Sequence, residues 1–304
     1  MKKIHLLPLL LILVVALSGC ISPRSSGHAP RPFKGEVITI DNVDIFPSEA
    51  YSGEIVSLDF DIINNVETEI KNFRIELSEP SFLKLKQMKC GELITSDHKC
   101  AMNLKPFAYE HFHAEFEVLP IISQSVDQIV YYKIMYDYNG SSMLSFQIVD
   151  WDKIKEHHKV LPYQQHSSAS DIKIVFEPGF LTRKTVNNKV VTIRDYMVAG
   201  TSFLLQLTPK YMKSCQNCIA YVKQIELQLQ SVVPKMEGCP DFRKSSESIL
   251  VSKEKDIKVP PINKLTCTFT NTEIEQPITQ GIILAKYDYN MTKIYQAKIT
   301  VRRR

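Results

Sequence analysis

Strict alternation of apolar and polar residues constrains this chain more than any other feature. In IVSLDFDII, residues 55–63, Val56, Leu58, Phe60 and Ile62 point one way, while Ser57, Asp59 and Asp61 point the other. Successive side chains of an extended strand face opposite sides, so the pattern describes a strand with one buried and one solvated face. IKNFRIEL at 70–77 and AYVKQIELQL at 220–229 follow the same rule. No stretch after the leader carries a capped amphipathic helix, with the connector WDKIKEHHK at 151–159 as the exception. The expected fold class is all-β, built from antiparallel sheets.

The chain also repeats itself. YDYN occurs at 136–139 and again at 287–290, 151 residues on. Each copy follows an apolar run, IVYYKIM or GIILAK, and precedes another, MLSFQIV or IYQAKITV. Asn139-Gly140 favours a two-residue hairpin turn, because both residues tolerate positive φ. The motif therefore predicts the last hairpin of a β-domain, built twice. IKNFRIEL precedes Cys90 much as VKQIELQL precedes Cys239. With short strands and turn residues throughout, the expectation is two tandem immunoglobulin-like β-sandwiches. They span residues 36–150 and 170–304, and the polar, His-rich segment 151–169 joins them. An antibody-type core needs a Cys–Trp–Cys arrangement, and the only tryptophan, Trp151, lies in that linker. Tyr136 and Tyr287 read either as corner tyrosines, with a buried ring and a hydroxyl reaching backbone, or as ordinary strand residues.

The first nineteen residues form a signal peptide. Lys2 and Lys3 give a positive start, a short apolar run follows, and Ser18 and Gly19 precede Cys20. The run is too short for a comfortable membrane span, and polar sequence follows at once. Leu17-Ser18-Gly19-Cys20 resembles the lipobox of prokaryotic lipoproteins, in which the cysteine carries the lipid. That likeness implies a mature chain beginning at Cys20, lipidated there, with 20–35 as a Pro- and Ser-rich tether. Two acyl chains hold a protein stably at a membrane where one does not.

Net charge is +4, and about +2 once the two leader lysines are gone. That excludes an electrostatic case for nucleic acid. Arg302, Arg303 and Arg304 read as a solvated chain end, with anionic headgroups or a wall polymer as the alternative. Besides Cys20, six cysteines remain, an even number that fits disulfides in an exported chain. The expected pairs are Cys90–Cys100, Cys215–Cys218 and Cys239–Cys267. A four-thiolate zinc site or a Cys-x-x-Cys redox pair is the alternative for the last four. Asn139-Gly140-Ser141 and Asn290-Met291-Thr292 are glycosylation sequons at matched positions of the repeat.

His111 and His113 alternate with Glu115 on one strand face, a workable ligand geometry, though a polar outer face explains it equally. No cofactor is expected. G-x-S-x-G, H-E-x-x-H, phosphate-loop and dinucleotide patterns are all absent from the sequence, so the expectation is a non-enzyme.

NVDIFPSEAYSGEIVSLDFDIINN at 42–65 resembles the opening of CARDB-like, adhesion-related Ig-like domains of archaeal and bacterial surface proteins. The shared features are Val43 and Ile45 before Pro47, then Gly53-Glu54, then alternation ending at Asn64-Asn65. The second copy starts longer and lacks Gly-Glu. The resemblance implies a lipid-anchored extracytoplasmic surface protein of an archaeon or bacterium, acting as a binding, adhesion or spacer module without catalytic residues. Its partner would be an envelope or surface protein or glycan. Two other readings stay open: an accessory subunit of a membrane-associated envelope or filament assembly, and a metal-dependent extracellular enzyme using the His111/His113 face.

Overall fold

A computed structural model of the protein describes residues 35–154, 159–180, 182–186, 189–231, 235–270 and 274–304. Cys20, the leader and the tether lie outside the described residues, as do His157 and His158 of the connector. The described residues are all-β and contain no helix. Where the connector was expected to be helical, Trp151–Lys153 form a turn.

The first half contributes β1 (Ile38–Phe46), β2 (Glu49–Tyr51), β3 (Ile55–Asn64), β4 (Ile70–Leu77) and β5 (Leu83–Cys90). It continues with β6 (Leu93–Thr95), β7 (Lys99–Leu104), β8 (Tyr109–Val118) and the long β9 (Ser125–Val149). Next come β10 (Gln164–Ser167), β11 (Ile172–Gly179), β12 (Thr182–Val186), β13 (Lys189–Ile193), β14 (Met197–Val198) and β15 (Ser202–Tyr211). The chain closes with β16 (Cys218–Ser231), β17 (Lys235–Gly238), β18 (Phe242–Lys244), β19 (Ile249–Ser252), β20 (Ile257–Val259), β21 (Leu265–Thr270) and the long β22 (Ile278–Arg302).

These strands form two outer sheets and one central sheet. One outer sheet runs β1-β3-β8-β5-β6, the other β11-β15-β21-β17. The central sheet has the order β18-β19-β16-β22-β9-β4-β7, and a small β12-β13 ribbon stands apart. Each outer sheet packs on one end of the central sheet. At the first end Phe60 stacks on Phe112 and Tyr132, with ring centroids 4.3 and 4.8 Å apart. At the second end Phe146 packs on Phe203 at 5.7 Å, and Phe203 on Phe269 at 5.4 Å. All six rings are buried. Each such side chain contributes about 1.5–3 kcal/mol of burial.

The expected terminal hairpins are not hairpins. Residues 125–149 and 278–302 each run as one unbroken strand of 25 residues, and they pair antiparallel from Ser125↔Arg302 to Val149↔Ile278. The two YDYN motifs lie at the centre of this ladder, with Tyr138 opposite Tyr289 and Asn139 opposite Asp288. Each hairpin has opened, and its second arm pairs with the first arm of the other copy. Gly140 supplied half of the turn signal, yet positive-φ glycines occur at 35, 53, 91 and 200 and not there. Its lack of a side chain serves space instead. A Cβ at Gly140 would sit 2.6 Å from the Tyr287 ring, and one at Gly281 would sit 2.6 Å from Phe146. Each glycine faces its aromatic directly across the ladder.

Two sandwiches therefore share one sheet. The 151–169 segment, read as a linker, also enters that sheet, because β10 pairs with Ser142–Ser145 of β9.

Candidate functional site

The opened hairpins place one position of β22 under unusual constraint. Tyr287, Tyr289, Met291 and Lys293 follow in period two, and all four face inward and are buried. A lysine thus occupies the apolar phase of a strand. Its side chain is 7% exposed, and the nearby Asp171 carboxylate is 5% exposed.

Three segments converge on Lys293. Its Nζ lies 3.2 Å from Asp171 Oδ1, just before β11. It donates to the Ile38 carbonyl at 2.8 Å and lies 4.0 Å from Glu36 Oε2. It also sits over the Tyr136 ring, 5.9 Å from the centroid. Asp171 is held on both oxygens. Oδ1 accepts from the Val37 amide at 3.2 Å, and Oδ2 accepts from Tyr136 Oη at 2.7 Å and Tyr289 Oη at 3.2 Å. Burial, and then the Asp171 charge, push both tyrosine hydroxyls well above their ordinary range, so they act as donors. Breaking a buried ion pair strands the remaining charge, which is why such pairs are held by additional hydrogen bonds.

The cluster forms the floor of a cleft of about 390 Å³, lined among others by Glu36, Lys213, Tyr211 and Tyr295, with the Cys215–Cys218 disulfide at its rim. Glu36 leaves the floor for Lys213, 2.6 Å from its Nζ. That hydrogen bond raises the Lys213 ammonium above its usual value.

Sequence patterning missed this site. Lys293 carried the one available signal, a charge on the inward phase of a strand. Asp171 carried none, because nothing local links it to a lysine far along the chain.

The sequence-derived candidates are distributed elsewhere. His111, His113 and Glu115 do share the outer face of β8. The pattern could not show their cross-strand partners on β3, Asp61 and Asp59. His113 Nδ1 lies 2.6 Å from Asp59 Oδ1, His111 Nδ1 lies 3.0 Å from Asp61 Oδ1, and His113 Nε2 lies 3.3 Å from Glu115. The imidazoles are thus engaged by carboxylates, and among the described residues no group is arranged to hold a metal ion.

The six cysteines stand as Cys90–Cys100, Cys215–Cys218 and Cys239–Cys267, with Cα–Cα distances of 6.5, 5.6 and 4.1 Å. The two sequons fall in mid-strand rather than in a turn. Asn139 is exposed, whereas Asn290 is half-buried and donates its amide to the Asp137 carboxylate. The Tyr287 hydroxyl reaches backbone, at the Ile172 carbonyl 2.6 Å away, as a corner tyrosine would. Tyr136 reaches the Asp171 side chain instead. Arg302 and Arg304 contact Glu49 and Glu54 at 2.9 and 3.4 Å.

No protein-family model matches this chain, and no curated protein matches it in sequence. Among solved structures it is similar to the full-length major pilin SpaD of Corynebacterium diphtheriae, at 12% identity and a TM-score of 0.25. That match covers 60% of this chain and 56% of the pilin. The chain is also similar to the Enterococcus faecalis MSCRAMM ACE, described as binding its ligands by the collagen Hug model. There the identity is 9%, the TM-score 0.19, and the coverage 87% of this chain and 95% of the other. Both scores lie far below the level that marks a shared fold.

Proposed function

We propose that the protein is a non-catalytic surface module, held by lipid at Cys20 on the outer face of the cytoplasmic membrane, that acts as a rigid spacer or binding arm. The observation behind this reading is the unbroken ladder between β9 and β22. At roughly 3.3 Å per residue, strands of this length span about 80 Å. A strand pair that crosses both sandwiches leaves no hinge between them, and a spacer needs that stiffness. Three cysteine pairs at bonding distance fit an oxidising compartment. The resemblance of residues 42–65 to CARDB-like modules points the same way. The partner is an envelope or surface protein or glycan. The sequons at Asn139 and Asn290 are candidate glycan sites, with exposed Asn139 the more accessible.

Two measurements test the reading. In the first, wild-type chain fractionates with membranes, and Cys20→Ser releases it or leaves it unprocessed. Processing and retention of the variant like wild type overturns the lipid anchor. In the second, crosslinking of the intact chain in native membranes captures a specific envelope component. Stoichiometric metal in the purified protein, or turnover without a partner, overturns the non-catalytic role. Deleting one half is a poor substitute, because the remaining half would keep a 25-residue strand without its mate.

A further inference from the structure

We infer that Lys293 and Asp171 are joined covalently, by an amide bond between the lysine Nζ and the aspartate Cγ, formed by the folded protein itself. The inference rests on the buried cluster and not on the proposed surface role.

Four features of the geometry lead to it. The amine and the carboxyl are already at contact distance, with Nζ 3.2 Å from Oδ1. Holding two reacting groups in this way turns a bimolecular step into an intramolecular one. Both side chains are more than nine-tenths buried, which limits the water that would favour hydrolysis over condensation. Two hydroxyls, from Tyr136 and Tyr289, already point at Oδ2. Donors fixed on a carbonyl-type oxygen stabilise the negative charge that grows there as a tetrahedral centre forms. Lastly, Glu36 stands 4.0 Å from Nζ, at the edge of the cleft, and is the nearest group able to carry a proton away.

The step balances without any co-reactant. The ammonium gives up one proton, which Glu36 relays to Asp171 Oδ1, and the free amine attacks Cγ of the neutral carboxyl so formed, making the C–N bond. Negative charge develops on Oδ2 between the two tyrosine hydroxyls. Oδ1, which already carries the relayed proton, takes a second one from the nitrogen and leaves as water as its bond to Cγ breaks. An ammonium and a carboxylate become one secondary amide and one water, with no change of oxidation state. The bond ties the mid-point of β22 to the residue preceding β11, at the place where the first half's entering strand also docks through Val37 and Ile38.

Peptide mapping of the purified full-length chain, after reduction and proteolysis, decides the matter. The expected result is one joined species containing Asp171 and Lys293, lighter by one water than its two peptides together. Linear peptides of full mass in the wild-type protein overturn the proposal. Lys293→Arg keeps a cation facing Asp171 but offers no amine, so the joined species must vanish while the fold, read by circular dichroism, persists. A joined species of the same mass in Lys293→Arg overturns the assignment of the lysine. Glu36→Gln removes the proton carrier but keeps a side chain of the same size whose oxygen can still accept from Lys213. Its joined fraction should form about a hundredfold more slowly. A Glu36→Gln chain that links at the wild-type rate overturns the role given to Glu36.

Discussion

The two halves of the chain share a plan. Strands β1, β3, β8 and β5 follow one another across the first outer sheet in the order in which β11, β15, β21 and β17 cross the second. In the central sheet β4 flanks β9 as β16 flanks β22, and β7 lies outside β4 as β19 lies outside β16. Even the smallest strands correspond. β2 pairs in parallel with Thr300–Arg302 at the end of β22, and β14 pairs in parallel with Ile148–Val149 at the end of β9. The longer start of the second half is accounted for by the β12-β13 ribbon, inserted between β11 and β14. The chemistry, by contrast, is not shared. The position 151 residues before Lys293 is Ser142, whose Oγ accepts from the Ile174 amide at 2.9 Å. Lys293 instead donates to the carbonyl of Ile38, which by register is the counterpart of Ile172, each pairing with the last residue of the strand beside it. Asp171 has apolar Val37 as its counterpart, for their carbonyls accept from Met212 and Asn65, the residues that follow β15 and β3. A duplicated scaffold thus carries a charged cluster on one side only, so the cluster is not something the fold itself requires.

The largest expected effects test whether the halves behave as one. Phe60 and Phe203 occupy the two cores, and truncating either to alanine should cost about 3–5 kcal/mol. Because β9 and β22 run through both sandwiches, each variant should lower one shared transition. Calorimetry showing two transitions, only one of which moves, would mean that the halves unfold independently despite the common ladder.

Next come the glycines. Gly140→Ala and Gly281→Ala each place a methyl group against a ring that has no room to retreat, and overpacking of this kind costs about 1–3 kcal/mol. Gly281 should be the worse site, because Phe146 is wedged between Phe180 and Phe203. Adding Phe146→Leu to Gly281→Ala should restore much of the loss in a denaturant titration. If both glycine variants are as stable as wild type, space is not the reason for glycine at these positions, and the turn reading of Asn139-Gly140 regains force.

This distinction marks where sequence reasoning stops. Alternation in IVSLDFDII or AYVKQIELQL is a local consequence of one buried face, so the strands could be read directly. Cysteine spacing likewise reflects neighbours along or across a strand. An opened hairpin and a closed one present the same residues to the same kinds of partner. Met143–Val149 find an apolar strand beside them whether it is Ile129–Met135 of their own copy or Gly281–Lys286 of the other. Nothing in a short window distinguishes the two pairings. Asp59 and Asp61 were visible as outward residues, but their meeting with His113 and His111 depended on the β3–β8 register.

A smaller effect is expected at Ser142, the counterpart of Lys293. Ser142→Ala leaves the buried Ile174 amide without its acceptor, which costs about 1–2 kcal/mol. Ser142→Thr keeps an acceptor and should lose less. Equal stability of wild type and Ser142→Ala, measured by urea titration, would mean that the position is spectator to the fold, and the contrast with Lys293 would lose its structural half.

The smallest effect separates the halves by pH. Burial acts to lower the His113 pKa, but the hydrogen bonds that its ring donates to Asp59 and Glu115, with their charges, outweigh it and raise the value above the usual one. Lys89 stands opposite His113 on β5, the cation that faces it from that side. In the second half the corresponding cross-strand pair is Gln206 and Thr266, which do not titrate in this range. A histidine with a raised folded pKa stabilises fully below its unfolded value, near 6.5, and the contribution disappears as pH rises through the folded value. Partly exposed pairs of this kind contribute less than about 1 kcal/mol. Wild type should therefore exceed His113→Gln in stability at pH 6, with the gap closing in mildly alkaline buffer. A gap that stays constant from acid to alkali would assign the effect of His113 to packing rather than to its charge, and would remove this electrostatic difference between the two halves.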